Sequence, residues 1–211
     1  MLGTEDKKIL RQLYINNLKG ITSNFSSLTR QIECPAALSR SFLYSLAERE
    51  SIIVDSENNI QLTDLGRKQL SIVMTGGTYD ILHIGHLFTL EQAKLLGDVL
   101  VVVLATDNTV MKLKNHPPAN KLDERAQVLE SVRYVDAVVK GSETDFMSTV
   151  DLINPDIIAL GYNQSENEKT LYKNISARNH SHVKIVRLQK YVPDKSTSRI
   201  FQDIFNHSYR K

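Results

Sequence analysis

The chain predicts an α/β fold: a doubly wound, parallel five-stranded sheet preceded by a small helical domain. Three observations predict it. Residues 72–75, 99–105, 137–139, 157–160 and 183–188 are short runs, apolar on nearly every residue, as in strands covered on both faces. Helix-period segments at 84–96, 124–131, 146–153 and 168–178 alternate with them, and such alternation means a parallel sheet. Before residue 71 there is helical periodicity and no such run. We therefore expect two domains, 1–70 and 71–211.

In the first domain Leu10, Leu13, Tyr14 and Leu18 recur at helical spacing and predict one amphipathic helix. Residues 26–32 read as a short second helix. Pro35 suits the first turn of a third, whose apolar stripe is Leu38, Phe42, Leu43 and Leu46. Residues 52–54 and 60–62 are short strands joined by the turn-forming run 55–59. Thr63 to Gly66 starts a last short helix. In the second domain residues 112–121, with two prolines and no apolar period, read as a mobile loop.

Composition narrows the functional classes. A net charge of +2 is too small to imply nucleic-acid binding by itself. The single cysteine, Cys34, excludes an intrachain disulfide, which fits a reducing cytoplasm, and it reads as a small buried residue. The N-terminus lacks a signal peptide's apolar core, and no apolar stretch approaches a membrane span. A cytoplasmic protein without membrane association is expected. His116, His180, His182 and His207 lie in polar stretches and read as solvent-exposed, with no metal held by protein side chains.

Chemistry concentrates after the strand at 72–75. The run from Gly76 reads Gly-Gly-Thr-Tyr-Asp-Ile-Leu-His-Ile-Gly-His. A Gly-rich turn leads to a helix N-terminus, where backbone N–H groups attract phosphate. His83 and His86, three apart, share one helix face. Two imidazoles over an anion site can stabilise charge on a phosphorus centre in transfer.

This run resembles the HxGH nucleotidyltransferase superfamily and its cytidylyltransferase-like branch, whose pattern is G-T-F-D-x-x-H-x-G-H. Tyr79 for Phe is the one departure. The resemblance covers about residues 71–205 and implies a Rossmann-like sheet, with Gly76, Gly77, Thr78, Tyr79, His83, Gly85 and His86 around the nucleotide and Asp80 beside the substrate. It implies that Lys112 contacts the triphosphate, with Lys114 as a rival, and that Arg125 and Arg133 bind the substrate phosphate. Tyr162 and Asn163, in Leu-Gly-Tyr-Asn-Gln, match the segment that meets substrate and nucleotide, Asn163 replacing the usual Asp. Ser196, Thr197 and Ser198 match the family's hydroxyl-rich helix start, which holds β- and γ-phosphates.

The implied reaction is transfer of a nucleotide from ATP or CTP to a phosphorylated acceptor, with Mg²⁺ carried by the nucleotide. Likeness around 77–82, 111–114, 155–164 and 185–187 resembles archaeal FAD synthases, which use ATP and FMN. Arg133 to Asp136 is instead similar to the R-Y-V-D of glycerol-3-phosphate cytidylyltransferases. The first domain resembles a winged helix-turn-helix, whose third helix presents Ser39, Arg40, Ser41, Tyr44 and Arg49 to phosphates or bases. A DNA-binding regulator that senses a nucleotide or flavin is therefore a reading from another class, and docking or a homodimer are further roles for that domain.

Overall fold

The structure is a computed structural model, and it describes residues 3–162, 164, 167–189 and 197–208, without the side chains of residues 198 and 208. It divides into two compact units, Met1–Ser71 and Ile72–Lys211.

The first unit contains α1 (Thr4–Leu18), α2 (Phe25–Gln31), α3 (Ala36–Glu48), β1 (Ile52–Val54), β2 (Ile60–Leu62) and α4 (Asp64–Arg67). Ile9, Leu10 and Leu13 of α1 pack with Leu28, Leu46, Ile52 and Ile60 in its core. The hairpin β1–β2 is antiparallel, Ile53 opposite Gln61. Gly66 is a packing requirement: a Cβ there would lie 2.0 Å from the Ser51 carbonyl oxygen.

Two expectations in α3 shift by one position. Leu38 is exposed, and Ser39 takes the buried place because its hydroxyl donates to the carbonyls of Cys34 and Pro35 at 3.3 and 3.2 Å. Pro35 is the N-cap rather than a first-turn residue, and Cys34 is only half-buried.

The second unit contains β3 (Ile72–Gly77), α5 (Ile84–Lys94), β4 (Val99–Leu104), α6 (Asp107–Lys114), α7 (Leu122–Glu130), β5 (Ala137–Lys140), α8 (Phe146–Ile153), β6 (Ile157–Leu160), α9 (Glu168–Ser176), β7 (Lys184–Arg187) and α10 (Thr197–Ser208). Strand order is β5-β4-β3-β6-β7, all parallel. The order reverses between β3 and β6, and ligands of open α/β sheets bind at such a switch point. Val73, Leu100, Val102, Leu104 and Ala159 pack with Leu90 and Ala93 of α5 and Leu129 of α7. The β3–β6 join is reinforced by side chains: Asp156 accepts the Ile72 N–H at 2.7 Å, and the Thr75 hydroxyl donates to the Ala159 carbonyl at 2.8 Å.

The helix α6 occupies part of the segment read as a loop. Its cap explains it: Thr106 Oγ1 accepts the Thr109 N–H, and Asn115 closes the helix in a left-handed conformation. No described helix is long and apolar enough to cross a membrane.

Candidate active site

The turn after β3 is built around one aromatic ring. Tyr79 adopts φ +47°, a left-handed conformation that costs a non-glycine residue energy, and its side chain is buried. The ring lies so close to Gly77 that a Cβ there would be 2.7 Å from it. Burial pushes the Tyr79 phenol up to about 12, and a bond to the Thr75 side chain works the other way.

Two neighbours hold the turn. Asp80 accepts the N–H groups of Ala119 and Asn120, both at 2.8 Å, while Asn120 Nδ2 donates to the Asp80 carbonyl. Arg125 Nη1 donates to the Thr78 carbonyl at 2.7 Å.

The turn delivers His83 as the N-cap of α5, its Nδ1 accepting the Gly85 N–H at 3.2 Å. A ring nitrogen that accepts carries no proton, so neutral His83 holds its proton on Nε2. The His86 ring stacks on it, with centroids 3.9 Å apart and planes 28° apart. Tyr79 backs His86 at 5.2 Å. Burial pushes His86 down to about 4, helped by the charges of His83 and Lys114 and opposed by the Ile81 backbone. Burial also lowers His83. Both rings are therefore neutral at pH 7. His86 Nδ1 is buried without a hydrogen-bond partner.

Beside this pair a cleft of about 510 Å³ opens over the strand ends. Its floor is apolar, from Met74, Val103, Ile158 and Leu160. Its other wall is polar, from Thr78, Asp80, His86, Thr106, Thr109 and Lys114. An apolar bed with a few convergent polar groups is the usual construction of a small-molecule site.

The structure sorts the expected residues. Gly76, Gly77, Thr78, Tyr79, Asp80, His86 and Thr197 line the cleft. His83 reaches it through the ring stack, and Gly85 offers its N–H to His83. Lys112 does not line the cleft: its charge acts on Glu143, whereas Lys114 lines it and acts on His86. Two residues apart on a helix, these lysines point to different faces.

Arg125, expected at the substrate phosphate, is instead bonded within the protein. It is 1% exposed, and its guanidinium is committed to the carbonyls of Asn120 and Thr78 and to Asp107 Oδ1, the last at 2.6 Å. Arg133 also stands outside the cleft, lying over the Tyr134 ring and donating to its hydroxyl, while that hydroxyl donates to Glu91. Tyr162 is exposed beyond β6 and does not line the cleft. Asn163 and Ser196 lie outside the described residues, as does the side chain of Ser198.

Of the histidines expected in solvent, His180 instead meets Asp151 Oδ1 at 2.7 Å. Gln164 was not singled out in the sequence, yet it bridges the strands: Nε2 donates to the Gly76 carbonyl at 2.7 Å, and Oε1 accepts the Gly161 N–H. Its only signal is its place at the end of the Leu-Gly-Tyr-Asn-Gln run.

Comparison with known proteins agrees with this geometry. Residues 74–202 match the model of the cytidylyltransferase-like family. An FAD synthase of Aciduliprofundum boonei is 46% identical over 119 residues, which are 56% of this chain and 78% of that one. An FAD synthase of Pyrococcus abyssi is 39% identical over 142 residues, 66% of this chain and 95% of its own. Among solved structures, the lipopolysaccharide core biosynthesis protein of Thermoplasma volcanium shares 40% identity at a TM-score of 0.56, covering 58% of this chain and 99% of that one. A histidine pair at the start of a helix, at the switch point of a parallel sheet, with these relatives, makes the chain a member of the cytidylyltransferase-like family and a nucleotidyltransferase.

Proposed function

We propose that the chain is an FAD synthase. A phosphate oxygen of FMN attacks the α-phosphorus of ATP, the bond from that phosphorus to the bridging oxygen breaks, and pyrophosphate leaves with the electron pair. The attacking group is already an oxyanion, so no base has to create it. His83 Nε2–H and the His86 ring stand ready to donate to phosphate oxygens as charge shifts toward the leaving group. Lys114 adds a point cation at the same wall. Thr197, at the start of α10, supports the reading that this helix end receives the triphosphate. Mg²⁺ would arrive with ATP as part of the substrate and would be held mainly through phosphate oxygens and water, because the one carboxylate among the described residues lining the cleft, Asp80, is already engaged by backbone N–H groups.

The observation that carries this reading is the pairing of the stacked histidines with a cleft whose floor is apolar. Such a floor suits a flat ring, as both a nucleobase and a flavin have, and the likeness to FAD synthases favours a flavin as the acceptor. The segment similar to glycerol-3-phosphate cytidylyltransferases has a structural role instead: Asp136 accepts the Leu100 N–H at 2.7 Å and pairs with Lys94.

The first unit has the helix and hairpin order of a winged helix, but its third helix is a poor DNA reader. Ser39 is buried, Arg40 lies over the Phe25 ring, and Arg49 faces Asp6 at 3.5 Å. These contacts favour the enzyme reading over the regulator.

Pyrophosphate release tests it. With Mg²⁺, ATP or CTP is offered against FMN or glycerol 3-phosphate. Turnover with ATP and FMN is expected, and turnover only with CTP and glycerol 3-phosphate overturns the proposal.

A further inference from the structure

Two large apolar side chains stand in water at the mouth of the cleft. Leu113, in the last turn of α6, is 74% exposed, and Phe146, the first residue of α8, is 46% exposed. Both line the cleft, from different elements, above the buried floor of Met74 and Val103. Leaving such groups in water forfeits their burial energy, and exposed apolar side chains lining one cleft suit a ligand that covers them.

Their mounts are fixed. Phe146 follows Asp145, whose Oδ1 accepts the Met147 N–H at 2.9 Å, whose Oδ2 pairs with Arg178 at 2.9 Å, and whose own N–H donates to Ser142 Oγ at 3.0 Å. Leu113 lies one turn beyond Thr109, which lines the same cleft. The two mounts are tied together: Asn108 Nδ2, in the first turn of α6, donates to both oxygens of Glu143 at 3.0 and 3.1 Å, just before α8.

We propose that Leu113 and Phe146 form an apolar jaw that grips the flat isoalloxazine ring of FMN, with the Asn108–Glu143 bond setting its opening. This rests on the FAD synthase reading and assigns the acceptor side of that site. The jaw stands at the ends of β4 and β5, through the elements that follow them. Thr197 enters the cleft from the helix that follows β7, at the other side of the sheet. ATP with its phosphates toward Thr197 leaves the β4–β5 side for the acceptor ring. Phe146 offers a stacking face, which is sequence-tolerant but selective for planar rings.

The full chain and its Phe146→Ala, Leu113→Ala, Phe146→Trp and Asn108→Asp variants test this. Steady-state kinetics are expected to give KM for FMN raised by about tenfold in Phe146→Ala and by severalfold in Leu113→Ala, with KM for ATP unchanged. Phe146→Trp keeps the low KM. Asn108→Asp sets two carboxylates against each other and weakens FMN binding.

Titration of FMN fluorescence reads the jaw without turnover: quenching on binding is expected in the unchanged protein and lost in Phe146→Ala. If ATP and FMN give no turnover yet FMN binds with Phe146-dependent quenching, the jaw stands and the reaction assignment falls. Turnover with KM for FMN unchanged in both alanine variants, or a rise confined to ATP, overturns the jaw.

Discussion

The His86 ring carries no charge at pH 7, and this has measurable consequences. Its proton is held more tightly by the unfolded chain, at about 6.5, than by the folded chain, at about 4. Stability is therefore full above pH 6.5 and is lost as pH falls toward 4. Denaturant melts at descending pH are expected to show a shallower acid limb in His86→Gln than in the unchanged protein. A bound triphosphate brings negative charge that raises both rings back toward the ordinary imidazole value, so ATP binding is expected to take up protons between about pH 4 and pH 6.5 while the rings stay largely neutral at pH 7, as calorimetry in buffers of different ionisation enthalpy reads. Replacing either His83 or His86 by Ala is expected to lower turnover by about two orders of magnitude. Lys114→Ala is expected to raise KM for ATP by about tenfold while Lys112→Ala does not. The histidines were legible because their motif couples residue type to spacing. The choice between the lysines was not, because it depends on the phase of a helix whose one buried apolar residue is Val110.

At the scale of elements, the turn between β3 and α5 owes its shape to a segment that follows α6. Asp80 is tied to Ala119 and Asn120, and Arg125 of α7 reaches Thr78, Asn120 and Asp107 at once. Removing a fully buried guanidinium leaves those acceptors unpaired, so Arg125→Ala is expected to destabilise the fold by about 3–5 kcal/mol in denaturant melts, and to lower turnover through the displaced turn. Family resemblance singled Arg125 out, but nothing in the local pattern says that it is buried. The partners that bury it lie up to 47 residues away. The five strands were legible because parallel strands buried on both faces are apolar throughout. The phase of α3 was not, because a serine that satisfies its hydroxyl on the preceding turn can go inside and leave a leucine out.

For the whole molecule, the relatives set an expectation about the two units. The match to the Pyrococcus abyssi enzyme takes in 95% of that chain but only 66% of this one. Residues 72–211 alone are therefore expected to fold and to retain ATP- and FMN-dependent pyrophosphate release within a few-fold of the full chain, as the same assay checks. The change from helical periodicity to buried strands falls where the two compact units divide, between Ser71 and Ile72. What the first unit adds was not readable, because its third helix shows composition without chemistry. The staple on the histidine turn bears on the order of synthesis. A chain leaving the ribosome completes the first unit early, but the turn from Thr78 to His86 waits for Asn120 and Arg125, and its strand waits for Gln164 to bind Gly76. The stacked histidine pair is thus among the first parts of the cleft to be translated and among the last to be assembled.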